Sequence, residues 1–446
     1  MVNAAVDPMA PKKPHFAPKA KNVIFLYMSG GVSQVDTFEH KPALQKYAGQ
    51  RLPVPKDVDG EIRSFLERPH GAVPAIAPFR QCGQSGMYLS TMFEHLPKVV
   101  DDLAFIHAIK GDSNNHSPAT LHINTGSILQ GSPSVGAWAT YGLGSENRNL
   151  PGFIVLHDPR GGPVNGPAVW NSGYLPASYQ GTAFRPVGTP VLNLDSPQGV
   201  TREQARRELD FLQALNREHA AQRTATDDLE ARIASYELAY RMQMEAPQVV
   251  DLNLESRATR ELYGIDDPVT GSFGRQCLMA RRLVEKGVRF VLLVHGWENG
   301  TFSWDHHSDI ERLLPARINE IDRPVSALLT DLKQRGLFDD TVVVWTSEMG
   351  RTPFNEGSGR ARGRNHNQWA MLSWMAGAGI APGAHAGAMD DFGLKGADKQ
   401  FHVRDLHATI LHLLGLDQMA LTYLHEGRNK RLTDTGGEVI REILRA

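Results

Sequence analysis

Cysteine is nearly missing from this chain. Cys82 and Cys277 are the two in 446 residues, too few for a disulfide framework or a cysteine metal cluster. Whether they pair is left open by the sequence. Long apolar runs are missing too: no stretch approaches the roughly 18 residues that cross a bilayer, so no membrane span is expected. Neither sign of charge dominates. Lys and Arg number 47 against 49 Asp and Glu, a formal charge of −2, which argues against a dedicated nucleic-acid binder. The Gly-x-Ser-x-Gly elbow of cofactor-independent serine hydrolases does not occur. The first twenty residues, "MVNAAVDPMAPKKPHFAPKA", lack the apolar core of a signal peptide. They read as an extended tail, a composition that also suits a chain whose export signal has been removed.

What remains is a soluble globular composition, 41% hydrophobic and 22% charged. The expected organisation is a tail over 1–20 and one α/β domain over 21–446. Short continuous apolar runs recur: "VIFLYM" from Val23, "LAFIHAI" from Leu103, "FIVLH" from Phe153, "RFVLLVH" from Arg289, "TVVVWT" from Thr341 and "WAMLSWMAG" from Trp369. Runs of this length suit strands covered on both faces. Helical patterns lie between several of them. Leu314, Ile318, Ile321, Val325, Leu328 and Leu332 step by three or four, one face of a helix that Pro324 is expected to kink. Strands alternating with helices predict a mostly parallel central sheet flanked by helices. About 201–245 is different: Arg-, Glu-, Ala- and Leu-rich and free of glycine, it reads as a two-helix insert. That insert is also a candidate surface for self-association.

In such sheets, sites form beyond the carboxyl ends of strands. Four strand ends here carry polar clusters: Ser33 and Asp36 after the first run; His116, Ser117 and His122 after the second; Asp305, His306 and His307 after "RFVLLVH"; Glu348, Arg351 and, past an arginine-rich loop, His366 after "TVVVWT". Asp, Glu and His are ligands of zinc, manganese and calcium. Asp305 with His307 is a close pair able to share one ion, or a capping Asp beside surface histidines. Glu348 reads as a ligand or a cap, and His366 as a ligand or a surface loop histidine. Ser117 before Pro118 reads as a helix N-cap with proline at the first helical position; a nucleophile would also gain from that helix end. Arg351, Arg360, Arg362 and Arg364 supply positive field for an anionic ester, or, for the last three, form a solvated basic loop.

Three stretches, "INEIDRPVSALLTDLKQRGLFDDTVVVWTSEMGR", "DLHATILHLLGLD" and "HSPATLHINTG", resemble the alkaline phosphatase–sulfatase superfamily. The matches run in the right order from about Lys21 to Leu416. "GGVSQVDTFEHKP" and the "EMGRTP" run followed by a His further resemble an uncharacterised, usually exported bacterial sulfatase-like family. The resemblance implies one or two divalent ions (Zn, Mn or Ca), hydrolysis of phosphate or sulfate esters, and a periplasmic or secreted location. By position it puts His116 at the nucleophile, with Ser117 beside it and Arg351 as anion-binding group. It gives metal roles to Asp305, His307, Glu348 and His366, and to Asp36 seven residues beyond Ser29, where the usual Asp is replaced. Thr120 stands where the sulfatase Cys/Ser-x-Pro-x-Arg signature has its Arg, so formylglycine is not expected. Met349 replaces the His of the usual Asp-His pair, so one ligand is lost.

Two functions follow from this reading. The first is a metal-dependent hydrolase of phosphate or sulfate esters acting on a small anionic ester or a sulfated or phosphorylated glycan. The second is a pseudo-enzyme that keeps the fold and binds such glycans.

Overall fold

The structure is a computed structural model. It describes residues 7–53, 63, 71–185, 188, 190–191, 198–221, 227–296, 303–355 and 362–445. The six apolar runs become strands of one sheet: β1 (Asn22–Met28), β2 (Leu103–Lys110), β3 (Phe153–His157), β5 (Phe290–His295), β6 (Thr341–Thr346) and β7 (Met371–Gly377). Shorter strands β4 (Thr182–Phe184), β8 (His385–Ala386) and β9 (Phe401–His402) extend it. The order is β8-β2-β7-β6-β1-β5-β3-β4, with β9 also pairing β2. β7 runs antiparallel to β6 and β2, and the other pairings are parallel. The fold is therefore α/β around a mostly parallel sheet.

Each residue of β1, β5, β6 and β7 is buried. Burial on both faces is why these strands show unbroken apolar runs and no alternation. Along β1 the side chains still divide by face. Ile24, Leu26 and Met28 enter one core cluster, and Val23, Phe25 and Tyr27 enter the other.

Helices cover both faces: α1 (His116–Thr125), α2 (Val135–Leu143), α4 (Asp227–Val250), α5 (Gly271–Glu285), α6 (Ile310–Gln334) and α7 (Val403–Leu413), with α3 (Arg202–Ala221) packed on α4. Leu314, Ile318, Ile321, Val325, Leu328 and Leu332 of α6 are all buried in the first core. Each such side chain contributes about 1.5–3 kcal/mol relative to exposure. The helix is continuous through Pro315 and Pro324.

In the insert, α3 and α4 are joined by Arg206–Glu237 at 3.0 Å and Gln213–Glu237 at 2.6 Å. The tail is not a free tether from Asp7 onward. Lys12 Nζ donates to the Tyr141 carbonyl, and the His15, Lys19 and Ala20 amides donate to carbonyls of Gly415 and Leu413. Cys82 and Cys277 are both buried and free.

Candidate metal centre

The carboxyl ends of β6, β1 and β5 lie side by side, with β2 beyond the antiparallel β7. Each end delivers part of one cluster. After β1 the chain turns through Gly30 (φ +123°) and Gly31 (φ +77°), a conformation that favours glycine. The turn aims the Gly30 amide at Glu348, whose Oε1 and Oε2 accept it at 2.8 and 3.1 Å. Glu348 Oε1 also lies 2.7 Å from His116 Nδ1. His116 opens α1, and the cap is Asn115, whose side chain accepts the Ser117 amide at 3.2 Å. Ser117 is thus not the cap. Pro118 stands third in the helix, still within the turn whose amides need no helical partner.

His116, Asp305, His307 and His366 bring four ligand atoms within 4.8 Å of one another. His116 Nε2 lies 3.2 Å from Asp305 Oδ2. His307 Nε2 lies 2.8 Å from Asp305 Oδ1 and 3.0 Å from His366 Nε2, and His366 Nε2 lies 3.2 Å from Asp305 Oδ1. The far side of two of these rings is held. His116 Nδ1 faces the Glu348 carboxylate, and His366 Nδ1 faces the Asn114 carbonyl at 2.6 Å. Both partners only accept, so the proton sits on each Nδ1, and in the neutral ring Nε2 keeps its lone pair for the cluster.

This is the donor arrangement that orients metal-binding histidines. Bonds of 2.0–2.1 Å in a tetrahedral shell place neighbouring donors about 3.3 Å apart, close to the spacings here. Three imidazoles and one carboxylate suit zinc or manganese. They do not suit calcium, which takes six to eight oxygens. In the metal-free protein, burial pushes the His116 pKa down, but hydrogen bonds and charge from Asp305 and Glu348 outweigh it and raise it to about 9. Burial alone would raise Asp305; His116, His307, His366 and Arg351 instead hold it far below the usual carboxylate range. His366 is lowered, chiefly by burial.

The other expected site residues stand apart from these four donors. Glu348 is behind His116, where it fixes a ring. Asp36 is fully buried against fully buried Arg364, at 2.5 and 2.9 Å, and also accepts from Ser33 Oγ and the Ile76 amide. With its oxygens so occupied, Asp36 is a structural counter-ion. Ser117 Oγ donates to Asn165 Oδ1 at 2.7 Å, so its hydroxyl is engaged away from the cluster. Arg351 is 1% exposed. Its guanidinium donates to carbonyls of Gly30, Gly31, Trp304 and Arg364 and to Asp305 Oδ1. It therefore positions Asp305, with little left to offer an ester. Arg362 is half-exposed beside Glu311, and Arg360 lies outside the described residues. His306 is buried, its pKa lowered to about 3 by burial and then Arg351.

A second group, Asp112, His122 and His402, also lies close together, and the sequence reading missed His402. Its hydrogen bonds run the opposite way. The Asp112 amide donates to His122 Nδ1 and the Arg404 amide to His402 Nδ1, both at 3.2 Å. His122 Nε2 stands 3.4 Å from Asp112, and His402 Nε2 lies between the Asp112 carboxylate at 2.9 Å and Arg404 Nη1, a donor, at 3.3 Å. Amides occupy both Nδ1 lone pairs and the Arg404 guanidinium sits on the Asp112 carboxylate, so this group is a hydrogen-bonded lattice. Also missed were the backbone partners, the Gly30 amide and Asn114 carbonyl. The sequence signals were the "SGG" turn and the loop before His116.

Residues 20–444 match the family model described as "Protein of unknown function (DUF1501)". No curated protein matches. Similar solved structures include the alkaline phosphatase from the Antarctic bacterium TAB5, at 12% identity, TM-score 0.36, over 90% of this chain and 99% of that one. Others are the lipoteichoic acid synthase LtaP from Listeria monocytogenes (9%, 0.34, 98% and 81%) and the PsFucS1 sulfatase from Pseudoalteromonas sp. (12%, 0.32, 91% and 68%). Likenesses this distant transfer no residue roles. No helix among the described residues is long and apolar enough to cross a membrane.

Proposed function

The chain belongs to the DUF1501 family, and we propose that it is a metal-dependent hydrolase of phosphate or sulfate esters. One observation carries the metal part: the inward lone pairs of His116 and His366 are set by Glu348 and the Asn114 carbonyl, and converge with His307 and Asp305. The ester part rests on the sequence resemblance of the strand-end motifs. A divalent cation held here would polarise an ester oxygen and lower the pKa of a bound water. Arg351 keeps Asp305 ionised and fixed, and Glu348 keeps His116 in one tautomer. Ser117 has its hydroxyl turned to Asn165, so water is the attacking group in this reading. A periplasmic or secreted setting fits the same resemblance.

The test is metal analysis of the purified protein, followed by assays of nitrophenyl phosphate, bis-nitrophenyl phosphate and nitrophenyl sulfate with added zinc or manganese. Hydrolysis of one ester that disappears on chelation and in His366→Ala supports the reading. Metal binding without hydrolysis of any ester shifts it to the second one, a catalytically silent binder of sulfated or phosphorylated glycans. The engaged Ser117 hydroxyl favours that second reading.

A further inference from the structure

A cavity of about 360 Å³ opens beside the Asp112 lattice. One side is the end of α1, with Thr125 and Ser127; another is Arg404 at the start of α7; a third is Lys430 and Arg431 at the hairpin of Tyr423–His425 and Arg428–Lys430, facing Tyr174. The cavity is thus walled by three cations, two carboxylates (Asp112 and Asp434) and an aromatic ring. Arg404 Nε and Arg431 Nε are buried with no hydrogen-bond partner. The cations are only partly neutralised: Asp112 is shared between Arg404 and two histidines, and Asp434 stands 4.0 Å from both Lys430 and Arg431.

The cavity and the metal cluster share one loop. Asp112 lines the cavity, and Asn114, two residues on, holds His366. Two residues span at most about 7 Å. A Cβ added at Gly111 would be 3.8 Å from both the Glu348 carbonyl and His122 Nδ1, so the two lattices are adjacent.

We infer that this cavity is a subsite for a sugar bearing a tetrahedral oxyanion, sulfate or phosphate. Planar guanidinium and ammonium donors suit that anion. The half-buried, amphipathic ring of Tyr174, stacked on His425 at 5.0 Å, suits a sugar at its remaining surface. Calling that sugar part of the substrate rests on the ester-hydrolase reading; the binding itself does not.

The experiment is calorimetric binding of a monosulfated disaccharide, its phosphorylated counterpart and the uncharged disaccharide. Proteins are the wild type, Lys430→Gln with Arg431→Gln, and Tyr174→Leu. The fold of each is checked by melting, and the single substitutions replace the pair if the pair does not fold. The charged sugars should bind the wild type. Affinity should fall at least about 10-fold, about 1.4 kcal/mol, when the two cations are removed. It should also fall for the uncharged sugar and for Tyr174→Leu, while metal content stays unchanged. Binding of one anion over the other names the source. No binding by the wild type, or equal binding by the cation variants, overturns the subsite. Intact binding with no ester hydrolysis overturns the hydrolase reading and leaves the subsite standing.

Discussion

Metal binding should expel a proton from His116. In the metal-free protein His116 lies between Glu348 and Asp305, at 2.7 and 3.2 Å, with its pKa raised to about 9. At pH 7 a group with that pKa is about 99% protonated, whereas an unperturbed histidine near 6.5 is about 25% protonated. An ion that takes the Nε2 lone pair must displace that proton. At least about one proton per ion should therefore leave at pH 7. Affinity should rise about 50-fold between pH 7 and pH 9, roughly 2.3 kcal/mol at 1.36 kcal/mol per tenfold. Proton release is read by calorimetric titration of zinc in two buffers of different ionisation enthalpy. The affinity change is read by competition with a chelator whose own protonation is known. Glu348→Gln keeps an acceptor for Nδ1–H but removes a charge, so it should lower the release at pH 7. Release below about half a proton, or affinity flat from pH 7 to 9, refutes the reasoning. The sign for folding is fixed by the same shift. A raised pKa stabilises the metal-free fold fully below about pH 6.5, and that contribution is lost as pH rises through about 9. The metal-bound protein should lack this loss.

His366→Ala should lower metal affinity by more than about 100-fold while costing the metal-free fold about 1 kcal/mol, one hydrogen bond to Asn114; denaturant titration with chelator separates the two. Arg364→Ala leaves fully buried Asp36 unpaired and should cost about 3–5 kcal/mol. The double change Asp36→Leu with Arg364→Met should cost less than Arg364→Ala, and equal metal content in all of them would confirm that Asp36 is no ligand. Gly31→Ala adds a Cβ at φ +77°, 2.9 Å from Met349 Cγ and 3.2 Å from Arg351 Nε. It should cost about 1–2 kcal/mol and weaken metal binding by moving Arg351 off Asp305; unchanged metal affinity would sever that link.

The parts of this protein legible in its sequence are those fixed by local pattern. Six apolar runs became six strands of one sheet because double-sided burial demands continuous hydrophobicity. The α6 face was visible as a spacing of three and four. Which polar residues meet was harder, because ligand and support differ only in direction. Glu348 and Asp36 are both carboxylates near strand ends, yet one braces His116 and the other neutralises Arg364. The two histidine groups make the same point. His116 and His366 have Nδ1 against acceptors, a carboxylate and a carbonyl. His122 and His402 have Nδ1 against amide donors. Composition is nearly identical, but the first pair turns lone pairs inward and the second spends its Nδ1 lone pairs on amides. For His366, His122 and His402 that difference is set by backbone groups at Asn114, Asp112 and Arg404, whose residue type leaves no trace of it; His116 alone owes it to a side chain, Glu348. A carbonyl or amide at any of these three positions would serve as well with another side chain, so at three of the four rings the chemistry is written in chain path more than in residue identity.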